Sequence, residues 1–233
     1  MRTPLVIVNF KAYMESLGPA GLGLAMICEE VAEETGASIA IAPAQPDLAK
    51  IASAVRLPVL AQHFDPVPAG SRTGWVPLEA IKEAGAVGSL INHSERKMAL
   101  SEVSLAIELC EKGGVESVVC ADTIREVRKV AEFGPDYIAI EPPELIGGNI
   151  SVTTANPEIV TSAVSAARKK KPVAKVLCGA GVKTRVDVKR ALELGTVGVL
   201  LASGVVRARD QRKAILDLAR GLEHPQLRDA TSR

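Results

Sequence analysis

The chain is 233 residues long, 47 % hydrophobic and formally +1 at neutral pH, enough to bury the core of one large α/β domain or two small ones. Balanced charge and only 3 % aromatics exclude intrinsic disorder, a basic nucleic-acid footprint and base-stacking platforms. Charges and prolines interrupt every apolar run before it reaches the length of a membrane span, and Met1-Arg2-Thr3-Pro4 leads into a strand-like run without signal-peptide architecture.

In chain order, short Val/Ile/Ala-rich runs fall at 5–9, 38–42, 59–62, 87–92, 117–120, 137–141, 174–178 and 197–201. Short apolar runs bounded by turn residues predict buried strands. Between them, amphipathic segments predict helices over 20–35, 45–53, 77–84, 101–112, 123–133, 156–169, 184–193 and 210–222. Ser101 with Glu102, and Asn156 followed by Pro157 and Glu158, are helix-start signals. Gly36, Gly85, Gly113, Gly134 and Gly195 are placed to close helices just before the next strand.

Eight strands alternating with eight helices predict an α/β fold, the (β/α)8 barrel. The segments for the second and fifth helices are short, so the barrel is a trimmed one. An open doubly wound sheet is the competitor, but no glycine-rich dinucleotide fingerprint follows the first strand. Without a linker or composition break, the expectation is one domain over 1–233, with a short tail from about 223. Cys28, Cys110, Cys120 and Cys178 stand apart with no metal-type spacing. Free buried thiols and a cytoplasmic location fit best, with disulfides left open.

Such barrels carry their chemistry at the C-terminal ends of the strands. Asn9 and Lys11 follow the first run, two apart and in phase with Leu5 and Ile7; His93, Ser94 and Glu95 follow the fourth; Glu141 ends the sixth. A lysine at the mouth offers a cation for an anionic intermediate, or is simply a solvated loop residue. Segment 94–97 can start a helical turn behind His93, which keeps an imidazole neutral and able to donate; a core histidine satisfied by backbone groups is the alternative. His63 and His224 lack metal-like spacing. Glu141, at the end of an apolar run and before two prolines, is a candidate base with a lid after it, or the first residue of a solvated loop. Gly179-Ala180-Gly181 and Ala202-Ser203-Gly204 suit phosphate cradles or ordinary turns. Lys175, inside a strand, raises the Schiff-base question; alternation from Cys178 points it outward, as a structural lysine.

Together, Asn9-Phe10-Lys11, Asn92-His93-Ser94-Glu95-Arg96-Lys97 and Ile140-Glu141-Pro142 followed by Ile146-Gly147-Gly148 resemble the triosephosphate isomerase family, in its compact archaeal form. The similarity continues to Ser203. It implies cofactor-free interconversion of dihydroxyacetone phosphate and D-glyceraldehyde 3-phosphate, in glycolysis and gluconeogenesis, with no metal. The resemblance makes Glu141 the base, His93 the neutral electrophile, Lys11 the cation with Asn9 supporting it, and Glu95 the residue that holds the cluster in place. Asn9, Phe10, Ile146, Gly147, Gly181, Ala202 and Ser203 would bind substrate. Both hydroxyls that latch the lid in the bacterial and eukaryotic branch are absent from Cys178-Gly179-Ala180-Gly181, and Glu144, Asn149 or 151–154 are expected to replace them. Loop 70–75 resembles the family's dimer loop, with Trp75 where a glutamate commonly pairs with the arginine after the histidine motif; Arg96 needs another partner. The expected partner is a second copy of the chain, in a tetramer of the archaeal type or a dimer. Another phosphate-binding barrel enzyme (a pentose-phosphate epimerase or an aldolase) and an inactive barrel are the alternatives.

Overall fold

The computed structural model describes residues 1–145, 151–170 and 173–222. The apolar runs become β1 (Leu5–Asn9), β2 (Ser38–Ala42), β3 (Leu60–Ala61), β4 (Gly88–Ile91), β5 (Glu116–Ala121), β6 (Tyr137–Ile140), β7 (Lys175–Cys178) and β8 (Gly198–Leu201). All are parallel, in the order β2-β1-β8-β7-β6-β5-β4-β3. One bridge between Ile41 and Val59 joins the outermost two and closes the sheet into a barrel.

The helices between them are α1 (Gly18–Thr35), α2 (Leu48–Ala54), α3 (Leu78–Glu83), α4 (Leu100–Gly113), α5 (Ile124–Phe133), α6 (Val152–Ala155), α7 (Pro157–Lys170), α8 (Arg185–Glu193), α9 (Ser203–Val206) and α10 (Gln211–Gly221). α6 and α9, one turn each, have too few residues for a periodic signal in sequence. α2 and α3 are the shortest of the predicted eight, at 7 and 6 residues, while the fifth runs to 10.

Alternation along the strands divides the apolar residues into two layers. Leu5, Ile7, Leu60, Leu90, Val118, Tyr137, Leu177 and Leu200 fill the barrel. Val6, Val8, Ile39, Val119, Ile138, Val176 and Val199 face the helices. Each large aliphatic side chain buried this way contributes about 2 kcal/mol, so a charge inside is tolerated only at a mouth. Lys175 is that case, and the expected outward direction is corrected. It shares the inward row with Leu177, opposite Tyr137 in the β6–β7 register, and its ammonium lies 4.8 Å over the Tyr137 ring. That is the N-terminal mouth, the end away from the strand termini where chemistry gathers.

Two local expectations are also revised. Gly113 is the last residue of α4, packed so that a Cβ would lie 2.7 Å from Leu78; the left-handed closing residue is Gly114, φ 67°. Ser101 does not start α4. The helix begins at Leu100, where Glu102 Oε2 accepts the Ala99 N–H at 2.8 Å. The four cysteines are free and buried.

Candidate active site

β1 delivers Asn9, 4 % exposed, to the C-terminal mouth, and Asn9 Oδ1 accepts the Lys11 N–H at 3.0 Å. Lys11 sits at φ 52°, a left-handed conformation that costs a non-glycine residue about 1–3 kcal/mol. Two hydrogen bonds hold it there: the one from its N–H, and one from Gln62 Nε2 to its carbonyl at 2.9 Å. The same amide also reaches the Ala42 carbonyl at 2.9 Å. Lys11 Nζ bonds Glu95 Oε1 at 2.7 Å. The Glu95 side chain is 57 % exposed, so the pair steers the ammonium and adds little stability. Phe10 does not reach the cavity. Its ring is fully buried between barrel and helices because it lies in the opposite phase from Asn9 and Lys11.

After β4, the chain turns at Asn92 (φ 60°) and places His93 before the short turn Ser94–Arg96. His93 Nδ1 accepts the Glu95 N–H at 3.2 Å. An accepting Nδ1 carries no proton, so in the neutral ring the proton is on Nε2. Burial, then the Lys11 charge, pushes the His93 pKa down and keeps the ring neutral. Arg96 finds its partner in Asp65, at 3.5 Å; Asp65 is held by the Val76 N–H and by His63.

Glu141 follows β6, in the inward row of Tyr137 and Ala139. It is 5 % exposed, and its Oε2 is buried with no hydrogen-bond partner, 3.7 Å from His93 Nε2. Burial raises its pKa to about 7, against the lowering influence of the Cys120 thiol and the Lys11 charge. Space for it is left by Gly179. A Cβ there would lie 2.8 Å from Glu141 Oε1 and 2.6 Å from the Leu200 carbonyl.

One cavity brings together Asn9, Lys11, His93 and Glu141 with Gly181, Ala202, Ser203 and Gly204. Gly181 turns at φ 75°, and α9 begins at Ser203. The first N–H groups of a helix have no partner inside it and suit an anion. Ile146 and Gly147, and Asn149 among the expected latches, lie outside the described residues. Of the other expected latches, Ser151 and Thr153 bond each other through their hydroxyls at 2.8 Å. The Val152 N–H bonds the Ala180 carbonyl at 3.1 Å, a backbone tie between α6 and the turn after β7.

Sequence reasoning did not collect Gln62, Asp65, Cys120 or the clearance at Gly179. Gln62 carried the same signal as Asn9, a polar residue ending an apolar run.

A family model described as triosephosphate isomerase matches residues 4–220. The chain belongs to the triosephosphate isomerase family. The triosephosphate isomerase of Methanothermobacter thermautotrophicus is 49 % identical over 216 residues, spanning 93 % of this chain and 94 % of its own. That of Methanothermus fervidus is 48 % identical over 218 residues, spanning 94 % and 98 %. The crystal structure of triosephosphate isomerase from Bartonella henselae superposes with a TM-score of 0.75 at 16 % identity, over 94 % of this chain and 99 % of that one. At that identity the match speaks for the barrel alone. Within the family, a lysine Schiff base is not expected, and Lys175 stands at the wrong mouth to supply one.

Proposed function

We propose that Glu141, His93 and Lys11 catalyse the reaction of the family, with Glu95 supporting Lys11. The chain is an isomerase that interconverts dihydroxyacetone phosphate and D-glyceraldehyde 3-phosphate through an enediolate, a step of glycolysis and gluconeogenesis. The observation that carries the assignment is the bare Oε2 of Glu141 facing the Nε2 of His93 at 3.7 Å. A carboxylate with a pKa near 7 is matched to accepting a proton at neutral pH. Glu141 removes the proton from the carbon next to the carbonyl and returns it to the neighbouring carbon. His93 Nε2–H hydrogen-bonds the carbonyl oxygen, and Lys11 stabilises the negative charge that develops there. This pairing of glutamate base and neutral histidine is the one established for the family.

Gly181, Ala202 and Ser203, with Ile146 and Gly147, bind the phosphate, and Asn9 holds Lys11 in place. Support for the phosphate end comes from the short helix after the last strand, a common phosphate site in such barrels. No metal or organic cofactor enters this scheme, and activity is expected to survive chelation. The same reading takes 1–233 as one domain with a short tail from about 223, supported by the single eight-stranded sheet among the described residues. A cytoplasmic location accords with the free, buried cysteines, and no helix among the described residues is long and apolar enough to cross a membrane.

The same reading extends to a homo-oligomer, a tetramer or a dimer, through loop 70–75. Trp75 is 51 % exposed, and a cavity that shares Asn9, Lys11 and His93 with the site extends past Gln62, Asp65 and Arg96 to Gly74 of this loop. A monomeric mass by light scattering at micromolar concentration counts against it. The test of the catalytic reading is a coupled assay with D-glyceraldehyde 3-phosphate on the wild type and Glu141→Asp. The variant is expected to be slower with KM largely kept, and equal rates remove Glu141 from the mechanism.

A further inference from the structure

Asn92 spends its whole carboxamide on binding together three parts of the fold. Its Nδ2 donates to the Cys120 carbonyl on β5 at 3.0 Å and to Glu126 Oε1 on α5 at 2.7 Å; its Oδ1 accepts the Met98 N–H at 3.0 Å. Its backbone is left-handed, and the next residue is His93. Glu126 anchors this amide from outside the catalytic cavity. Besides Asn92, its Oε1 takes the Lys97 ammonium at 2.7 Å and its Oε2 takes the Asp122 N–H at 2.8 Å. Lys97 is held a second time by Asp122, at 3.2 Å. Burial opposes ionisation of Glu126, but the Lys97 ammonium, the Asp122 N–H and the Asn92 amide outweigh it and keep the carboxyl below its ordinary range. At neutral pH both oxygens are therefore acceptors.

We infer that Glu126 is a positioning residue for His93, acting through the Asn92 carboxamide, which fixes the left-handed turn that aims the imidazole at the substrate. The bridge reaches both halves of the chemistry, because Cys120, whose carbonyl Asn92 holds, has its thiol against Glu141. A misplacement of about 1 Å at a reacting group can cost on the order of a hundredfold in rate. The inference rests on His93 as the electrophile proposed above.

The experiment is a double-mutant cycle on the enzyme assayed with D-glyceraldehyde 3-phosphate. Glycine takes positive φ without strain, so Asn92→Gly deletes the carboxamide and spares the turn. Glu126→Ala deletes the anchor. Each is expected to lower kcat by about tenfold or more with KM within about twofold, as expected when only transition-state alignment is lost. The double variant is expected to be no slower than the slower single one, since both break one bridge. Nitrogen-15 resonances of His93 are expected to show the Nδ1 acceptor bond weakened in both variants.

A wild-type kcat in Asn92→Gly overturns the inference by itself, even if Glu126→Ala fails to fold. So do losses that multiply in the double variant, or losses confined to KM. His93→Gln separates the two layers of the argument. If that variant keeps wild-type kcat, the electrophile assignment fails; if it is nearly inactive while the cycle shows no coupling, only the positioning role fails.

Discussion

Replacing Glu141 with glutamine is expected to free the folded protein from a stability loss that sets in as pH rises. The carboxyl is buried beside a neutral histidine, and its pKa stands at about 7 in place of the ordinary 4.5. The folded protein therefore binds this proton more tightly than the unfolded chain does. Below about pH 4.5 both states hold the proton and the group has no effect on stability. Between that point and about pH 7 the unfolded chain releases it first, so stability falls as pH rises, and above about pH 7 the loss is complete. At about 1.4 kcal/mol per pH unit the full loss is about 3 kcal/mol. Most of it falls between pH 5 and pH 8.

Glutamine has the same shape and no such proton. Its buried amide carries a cost of about 1–3 kcal/mol for unmet hydrogen bonds, but that cost does not vary with pH and cancels from the slope. The assay is urea denaturation of both proteins at pH 5, 6, 7 and 8, at one fixed protein concentration so that association does not enter. The variant is expected to gain on the wild type steadily across the series. For a chain of this length the change corresponds to a melting-temperature difference on the order of 5–10 °C. Parallel curves for the two proteins would refute the reasoning, because they would mean that Glu141 ionises as easily in the fold as in water.

Other outcomes follow from the same geometry. In the free enzyme, kcat/KM is expected to fall on the acid side with an apparent pKa near 7, where Glu141 takes up its proton; His93, held below its ordinary value, stays neutral through that window, and a limb near 4.5 would contradict the burial argument. Gly179→Ala puts a methyl 2.8 Å from Glu141 Oε1 and is expected to cut kcat by about a hundredfold, read in a coupled assay, with circular dichroism retaining the barrel. Gln62→Ala removes two bonds to backbone carbonyls, one of them on Lys11. A loss of about 1–3 kcal/mol in thermal stability and a lower kcat/KM are expected, measured by calorimetry and steady-state kinetics.

How much of this was readable beforehand differs by residue. Glu141, His93, Asn9 and Lys11 each interrupt an apolar run with a polar group at its end, and a barrel gathers such ends at one mouth. That logic is local, so it works on a sequence. It fails where both faces of a strand are apolar. In β7, Val176 and Cys178 face the helices while Lys175 and Leu177 face inward, and nothing in composition tells the rows apart. The phase of Cys178 alone therefore does not say which row Lys175 joins. Phe10 belongs to the Asn9-Phe10-Lys11 motif, but while its neighbours line the cavity, alternation sends its ring the other way. Gly179 could be read as a turn residue, but its clearance of a carboxylate from another strand depends on the β6–β7 register. Asp65 as the partner of Arg96, and Glu126 as the anchor of Asn92, are contacts between residues 31 and 34 positions apart, set by packing that no short-range pattern encodes.

The single Ile41–Val59 bridge has a consequence for how the molecule ages under heat. Where β1 and β2 share a ladder of five residue pairs, β3 offers two residues to β4 and one bridge to β2. The seam between β2 and β3 is thus where the perimeter parts at least cost, and Gln62, which grips Ala42 and Lys11 across it, lets go in the same event. Lys11 would lose one of the two bonds that hold its left-handed backbone while the helices stay folded, so inactivation on warming runs ahead of the loss of secondary structure. Two raw strand edges would then face solvent, ready to pair with those of another opened molecule.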